Sequence, residues 1–212
     1  MISVVLADDH VVVRTGIKML LDADSDIEVV AEAAEGTEAY SLVARYKPDV
    51  LLLDISMPPG QSGLIACEKT AKDFPDTKVV ILTMFAEPEY LLYTLRGGAA
   101  GYVLKNSTPE QLRQAVHDVA NGSSYIHPTM VELLAKHATG GLNDPSIQQL
   151  SSRELEILQL IARGHTNKEI SKMMFLSVKT VEAHRSKIYK KLHLKTRADA
   201  VDYALRHKLL DL

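Results

Sequence analysis

The strongest constraint on this chain is an alternation in its first 121 residues, where short β-branched runs take turns with stretches of helical period. The runs fall at Ile2–Ala7, Ile27–Ala33, Val50–Asp54, Val79–Thr83 and Gly101–Leu104. Helical patterns lie between and after them, near Val11–Leu21, Thr37–Tyr46, Leu64–Asp73, Glu87–Arg96 and Pro109–Asn121. Strand, crossover helix, strand is the repeating unit of a parallel sheet covered by helices, and each such unit crosses over right-handed. The pattern therefore predicts an α/β domain over residues 1–121 with a five-stranded parallel doubly wound sheet.

The alternation then stops. Gly122-Ser123-Ser124 breaks it, Thr139-Gly140-Gly141-Leu142-Asn143-Asp144-Pro145 reads as a linker and hinge, and a short helix fits between them. These breaks set the linker at 122–146. From Leu150 every periodic segment is helical. Ser151 or Ser152 can cap a helix with Leu155, Leu158, Ile161 and Ala162 on its apolar face, and Gly164 ends it. A second helix starts at Asn167, a longer one spans Val178–Leu192 and a last one lies near Arg197–His207. Residues 147–212 thus form an all-α four-helix domain.

Composition narrows the setting. With 46% apolar and 24% charged residues over 212 positions, the chain folds in water. No apolar run reaches the ~18 residues of a membrane span, and Met1-Ile2-Ser3 enters a strand without a basic leader, which argues against export. Cys67 is the only cysteine and has no metal-ligand spacing around it, which fits a small buried apolar residue in a reducing cytoplasmic compartment. The overall charge of −3 hides an asymmetry. Residues 1–146 hold 11 Lys and Arg against 20 Asp and Glu, a formal −9; residues 147–212 hold 13 against 7, a formal +6. The two halves suit different partners, and the basic one is a candidate for polyanion binding.

In a parallel α/β sheet, ligands bind at the carboxyl ends of the strands. There this chain places Asp8 and Asp9 after the first run, Asp54 at the close of the third, Thr83 at the close of the fourth and Lys105 after the fifth. Taken singly, such an Asp is usually a turn former, such a Lys a solvated surface residue and such a Thr a packing residue. Together at four strand ends they describe a site. Three carboxylates brought close repel one another and call for a small hard cation such as Mg²⁺. That ion and the Lys105 ammonium would neutralise a phosphoryl group arriving at Asp54, whose carboxylate can act as a nucleophile toward phosphorus.

Asp-Asp, Asp, Thr and Lys at these strand ends, with Met57-Pro58 beyond the central acid, resemble the phosphoacceptor receiver domains of two-component signalling, with their flavodoxin-like sheet. The resemblance covers residues 2–121. It implies that Asp54 is phosphorylated, and that Mg²⁺ is held by Asp9, Asp54 and the backbone carbonyl of Ser56 directly and by Asp8 through water. It implies further that Thr83 and Lys105 bond the phosphoryl oxygens and that Tyr102 swings inward as Thr83 moves. His10 reads as a helix-start residue rather than a ligand. A second proline in Met57-Pro58-Pro59-Gly60-Gln61-Ser62-Gly63 lengthens the loop after Asp54.

In the basic half, the Val178–Leu192 helix advances about 100° per residue, which puts Val181, Ile188 and Leu192 on one side. Lys179, Ala183, Ser186 and Lys190 fall opposite, flanked by Glu182 and Lys187. A basic face of small residues suits the major groove of double-stranded DNA, where lysines meet phosphates and short side chains admit the backbone to base edges. An ordinary solvated helix has the same pattern. More specific are Leu150-Ser151-Ser152-Arg153-Glu154-Leu155-Glu156-Ile157-Leu158, Gly164, Asn167-Lys168-Glu169-Ile170-Ser171, Leu176-Ser177-Val178-Lys179-Thr180-Val181-Glu182-Ala183-His184 and Lys191-Leu192, which resemble the LuxR-type helix-turn-helix across residues 147–212.

The whole chain therefore resembles a NarL/FixJ-type response regulator, and Met57–Leu64 and Thr180–His184 are similar to the oxygen- and nitrate-responsive subgroup of Gram-positive bacteria. The resemblance implies a transcription factor rather than an enzyme. It implies phosphorylation by a sensor histidine kinase, a homodimer when phosphorylated with Arg197–His207 at the contact, and no membrane partner. Some relatives carry lysines at the positions of Glu182 and Ser186, so base preferences do not transfer. Two other functions fit parts of the sequence. An aspartyl-nucleophile phosphohydrolase usually has a second acid two residues after the nucleophile, where this chain has Ser56. A ligand-switched LuxR-type regulator needs an apolar pocket domain, where this chain has the strand-end acids.

Overall fold

The computed structural model describes residues 1–57, 63–84, 86, 88–139, 150–174, 176–207 and 209–210. The proposed hinge at Gly140-Gly141 and the lengthened stretch Pro58-Pro59-Gly60-Gln61-Ser62 lie outside these residues. The chain divides into two compact units, Met1–Gly141 and Leu142–Leu212.

The first unit runs β1 (Ile2–Ala7), α1 (Val11–Asp22), β2 (Ile27–Ala33), α2 (Gly36–Tyr46), β3 (Val50–Leu53), α3 (Gly63–Asp73), β4 (Lys78–Thr83), α4 (Pro88–Arg96), β5 (Gly101–Leu104), α5 (Pro109–Ala120), β6 (Tyr125–Ile126) and α6 (Pro128–Thr139). All strand pairs are parallel and the order is β2-β1-β3-β4-β5-β6. Residues 4–7 and 50–53 have no exposed surface, as expected of central strands covered on both faces. One face packs Val4, Leu6, Val50, Leu52, Val80 and Val103 against Ile17 and Leu21 of α1 and Leu112, Val116 and Val119 of α5.

The sheet has six strands where the sequence predicts five. Tyr125 and Ile126 pair with Gly101 and Tyr102, through Tyr125 N–H donating to the Ala100 carbonyl at 3.1 Å and His127 N–H to the Tyr102 carbonyl at 2.9 Å. A two-residue run has no measurable period, so it shows only as two ladder bonds on an otherwise open edge. Strand β6 and helix α6 occupy part of the stretch that the sequence assigns to the linker, and Met130 of α6 is fully buried.

Among its described residues the second unit has four helices: α7 (Ser152–Ala162), α8 (Asn167–Met173), α9 (Val178–Lys191) and α10 (Arg197–Arg206). Their starts are written locally. Ser151 and Glu154, Thr166 and Glu169, and Thr196 and Asp199 each form a reciprocal cap, and the Ser177 hydroxyl accepts from Thr180 N–H. Gly164 ends α7 at φ +103°, a conformation other residues adopt only with strain. Leu155, Leu158, Ile170, Val181, Ile188, Ala200 and Tyr203 fill the core. Among the described residues no helix is long and apolar enough to cross a membrane.

Candidate functional site

Backbone bonds beyond the strand ends assemble the acidic site. Asp8 N–H donates to the Ala33 carbonyl, Asp54 N–H to the Ala7 carbonyl at 2.9 Å and Lys105 N–H to the Thr83 carbonyl at 2.8 Å. The ladders thus run one residue past β1, β3 and β5, so residues 46 to 51 positions apart in sequence emerge side by side. The Lys105 ammonium lies 2.7 Å from Asp8 Oδ2 and 2.7 Å from Asp54 Oδ2. Asp8 is fully buried and Asp54 is 3% exposed.

Two carboxylates share one ammonium in a site nearly closed to water. Burial pushes the Asp54 carboxyl up to about 6, with the Asp8 charge adding to the rise and the Lys105 ammonium opposing it. Burial disfavours the Lys105 ammonium as well, but the Asp54 and Asp8 carboxylates outweigh that and hold its pKa above the ordinary lysine value.

Asp9, partly exposed, completes the cluster. Ligand atoms of Asp8, Asp9, His10 and Asp54 all lie within 4.8 Å of one another. Asp8 Oδ2 and Asp9 Oδ1 are buried, facing the Lys105 ammonium and the His10 Nδ1 respectively, each at 2.7 Å. Three acids with two such oxygens are an oxygen donor set that fits a small hard cation. His10 sits at the helix start as the sequence predicts, yet its Nδ1 is 2.7 Å from Asp9 Oδ1, so it also borders the cluster.

The other sequence-predicted residues stand around this centre. Ser56 N–H donates to Asp54 Oδ1 at 3.3 Å. Thr83 is the last residue of β4 and fully buried; Tyr102 lies on β5, opposite Ile81, and is also fully buried. Cys67 is buried, and that burial pushes its thiol up to about 12, which leaves it unreactive.

Two residues of the site carry no motif in the sequence. A Cβ on Gly63 would overlap the Asp54 carbonyl oxygen and fall 2.8 Å from its carbonyl carbon, so only glycine fits behind the central acid. A glycine at a helix start was the available signal. Arg14 donates from Nη1 to the Asp8 carbonyl at 2.6 Å and from Nε to Glu32 at 3.2 Å. A lone arginine on an amphipathic helix offers no such signal.

In the second unit, Glu154 on α7 is 4% exposed and meets the Lys191 ammonium of α9 at 2.6 Å. Arg153 Nη2 donates to the Met174 carbonyl at 2.6 Å, and Arg197 Nε to the Ile161 carbonyl at 3.2 Å. The Glu154–Lys191 pair ties α9 to α7, with Val181 and Ile188 inward, while the two arginine bonds join α7 to the end of α8 and to α10. Lys179, Glu182, Ala183, Ser186, Lys187 and Lys190 are all exposed along its outer side. Beside this face a concavity of about 390 Å³ is lined by His165, Lys168, Arg185 and Arg197, four basic residues outside the sequence-predicted set.

Comparison with known proteins agrees with both halves. Residues 4–117 match the family model described as response regulator receiver domain, and residues 148–204 match bacterial regulatory proteins, luxR family. The chain is 53% identical to oxygen regulatory protein NreC of Staphylococcus carnosus (strain TM300), with 99% of each chain covered, and 52% identical to NreC of Staphylococcus aureus (strain bovine RF122 / ET3-1), again with 99% of each covered. Among solved structures it is similar to RcsB from Salmonella enterica serovar Typhimurium bound to promoter P1flhDC in the presence of phosphomimetic BeF3-. That match has a TM-score of 0.71 and 29% identity, covering 100% of this chain and 99% of that one.

Proposed function

The chain belongs to the two-component response regulators with a luxR-family DNA-binding domain, and on that premise we propose that Asp54 is its phosphoacceptor and that the outer face of α9 reads DNA. The observation that carries the first part is the shared contact of Lys105, 2.7 Å from both Asp8 and Asp54 at adjoining strand ends. A sensor histidine kinase supplies the phosphoryl group. An Asp54 carboxylate oxygen forms the new bond to phosphorus while the bond to the donor nitrogen breaks, and the leaving imidazole keeps the electron pair. Asp9, Asp54 and the Ser56 carbonyl would hold Mg²⁺, with Asp8 acting through water. The ion, when bound, supplies positive charge against the incoming phosphoryl oxygens.

Lys105 neutralises the same charge from the other side, and Thr83 takes a phosphoryl oxygen. Tyr102 follows Thr83 and alters the surface around β5, which favours a homodimer with α10 at its contact on DNA. In the DNA-binding domain, Lys179, Lys187 and Lys190 meet phosphates, and Glu182, Ala183 and Ser186 face base edges. The assignment of receiver to residues 1–121, linker to 122–146 and DNA-binding domain to 147–212 belongs to this reading, as does a cytoplasmic location. The whole-length identity to oxygen regulatory proteins supports an oxygen-responsive input.

Incubation of the full chain with Mg²⁺ and a small phosphodonor tests the centre of the proposal. Intact-mass measurement should show one added phosphate on the native chain and none on Asp54→Asn or in excess chelator. A phosphate of normal stoichiometry on the mutant refutes the assignment.

A further inference from the structure

Every polar backbone group in the turn that carries Asp8 and Asp9 must find a partner beyond the end of β1, where the ladder stops. Asp8 N–H reaches the Ala33 carbonyl of β2, and Asp8 Oδ1 accepts from His10 N–H at 2.8 Å. The Asp8 carbonyl is taken by Arg14, one helical turn onward, whose backbone N–H also donates to the His10 carbonyl and whose Nε holds Glu32 of β2. The Arg14 side chain is 15% exposed and its bond to the Asp8 carbonyl is part-buried, whereas the Glu32 end of the fork, 36% exposed, meets water.

The Asp8 carbonyl belongs to the peptide plane joining Asp8 to Asp9. Gripping that oxygen fixes the rotation of the plane and with it the direction in which the Asp9 side chain leaves the backbone. Asp9 Oδ1 is buried and faces the ring of the adjacent, largely exposed His10 at 2.7 Å, a partner carried on the same turn, so the direction of Asp9 depends on how the backbone of that turn is held. We propose that Arg14 is a positioning residue, pinning the Asp8–Asp9 peptide so that Asp9 meets a divalent cation at the acidic cluster. The proposal rests on reading that cluster as a cation site.

Charge and geometry give Arg14 opposite effects on cation binding. As a cation beside three acids, it would weaken binding of a second cation, and removing it would tighten Mg²⁺. As the pin of Asp9 its removal loosens the site, and losses of an outer partner of a metal ligand run to about tenfold or more. The geometric effect is expected to prevail. A lysine keeps the charge, but its single ammonium cannot hold the Asp8 carbonyl and Glu32 in one plane as the guanidinium does.

Calorimetric titration of the unphosphorylated full chain with MgCl₂ tests this, alongside thermal unfolding in chelator. Arg14→Gln and Arg14→Lys should each raise the Mg²⁺ Kd about tenfold. A Kd that falls in Arg14→Gln, or one that stays unchanged while the unfolding temperature drops, overturns the proposal. Should both variants fail to fold, Glu32→Gln loosens the same fork from its other end and should raise the Kd about twofold; no change there overturns it equally. A native chain that takes up no Mg²⁺ at all refutes the cation-site reading itself, a result distinct from any of these.

Discussion

Asp54 and Glu154 make an instructive pair. Each is a carboxylate 3–4% exposed, and each has a lysine ammonium within 2.7 Å, yet burial and partners drive them in opposite directions. Asp54 is pushed up to about 6, because burial dominates and its lysine is shared with Asp8. For Glu154 burial is again the largest influence and again raises the pKa. There the Lys191 ammonium, still in touch with solvent, and the Ser151 N–H at 2.8 Å outweigh it and hold the carboxyl below its ordinary value. The helical domain gives its buried acid a lysine at 2.6 Å and uses the pair as a brace between α7 and α9. The receiver leaves its acids short of positive charge. That shortage is costly for folding and is what a bound cation would relieve.

The largest effect expected from this contrast follows Lys105→Ala. Removing the one ammonium shared by Asp8 and Asp54 leaves two buried carboxylates without a cation, and loss of one partner from a buried pair costs about 3–5 kcal/mol. Amide hydrogen exchange in β3, in chelator at pH 7, should show a loss of that order in the receiver, with millimolar Mg²⁺ restoring much of it. Unchanged protection would show that the shared contact carries no strain of charge.

Next comes the pH dependence of Asp54. Its folded pKa lies above the ordinary carboxylate value, so the native state binds more protons than the unfolded chain between about pH 4 and 6, and stability falls as pH rises through that window. Asp54→Asn removes the effect. In chelator the mutant should gain on the native chain across the window, by up to about 3 kcal/mol at neutral pH. A gap that stays flat from pH 4 to 7 would contradict the raised pKa.

Glu154→Gln should behave the other way. Its folded pKa is lowered, so its contribution is present above the unfolded value near 4.5 and is lost as pH falls. Because Lys191 is 35% exposed, the loss on mutation is modest, about 1–2 kcal/mol at pH 7, and it should vanish in acid. Exchange of α7 amides reads it, and a cost independent of pH would mean that packing rather than charge is responsible.

The smallest effects belong to the open face of α9. Lys190→Ala, or Lys179→Ala, should weaken binding to operator and random DNA alike and reduce the slope of log K against log salt by about 1. Glu182, Ala183 and Ser186 variants should instead change which operator is preferred. If Lys190→Ala leaves both slope and affinity unchanged, the DNA face lies elsewhere, and the basic concavity lined by His165, Lys168, Arg185 and Arg197 is where to look.

Much of this was legible in sequence because it is written in local periods. The alternation of strand and helix patterns fixes which residues end each strand, and a parallel sheet collects strand ends at one edge, so Asp8, Asp9, Asp54, Thr83 and Lys105 could be grouped without coordinates. Helical spacing likewise separates Val181 and Ile188 from Lys179, Ala183, Ser186 and Lys190. A two-residue strand has too short a run to show any period, which is why Tyr125 and Ile126 read as a break after Gly122.

The sequence alone therefore determined the two domain types, the central acid and the outward face of the long helix, since each follows from spacing along one segment. Only the tertiary structure decided how charge is shared. That Lys105 divides itself between Asp8 and Asp54, that Glu154 meets Lys191 37 residues away, and that Arg14 holds a carbonyl rather than solvent are distances between segments. Such distances are set by ladder register and helix packing, and a local pattern specifies which side chains face inward without specifying which of them will meet.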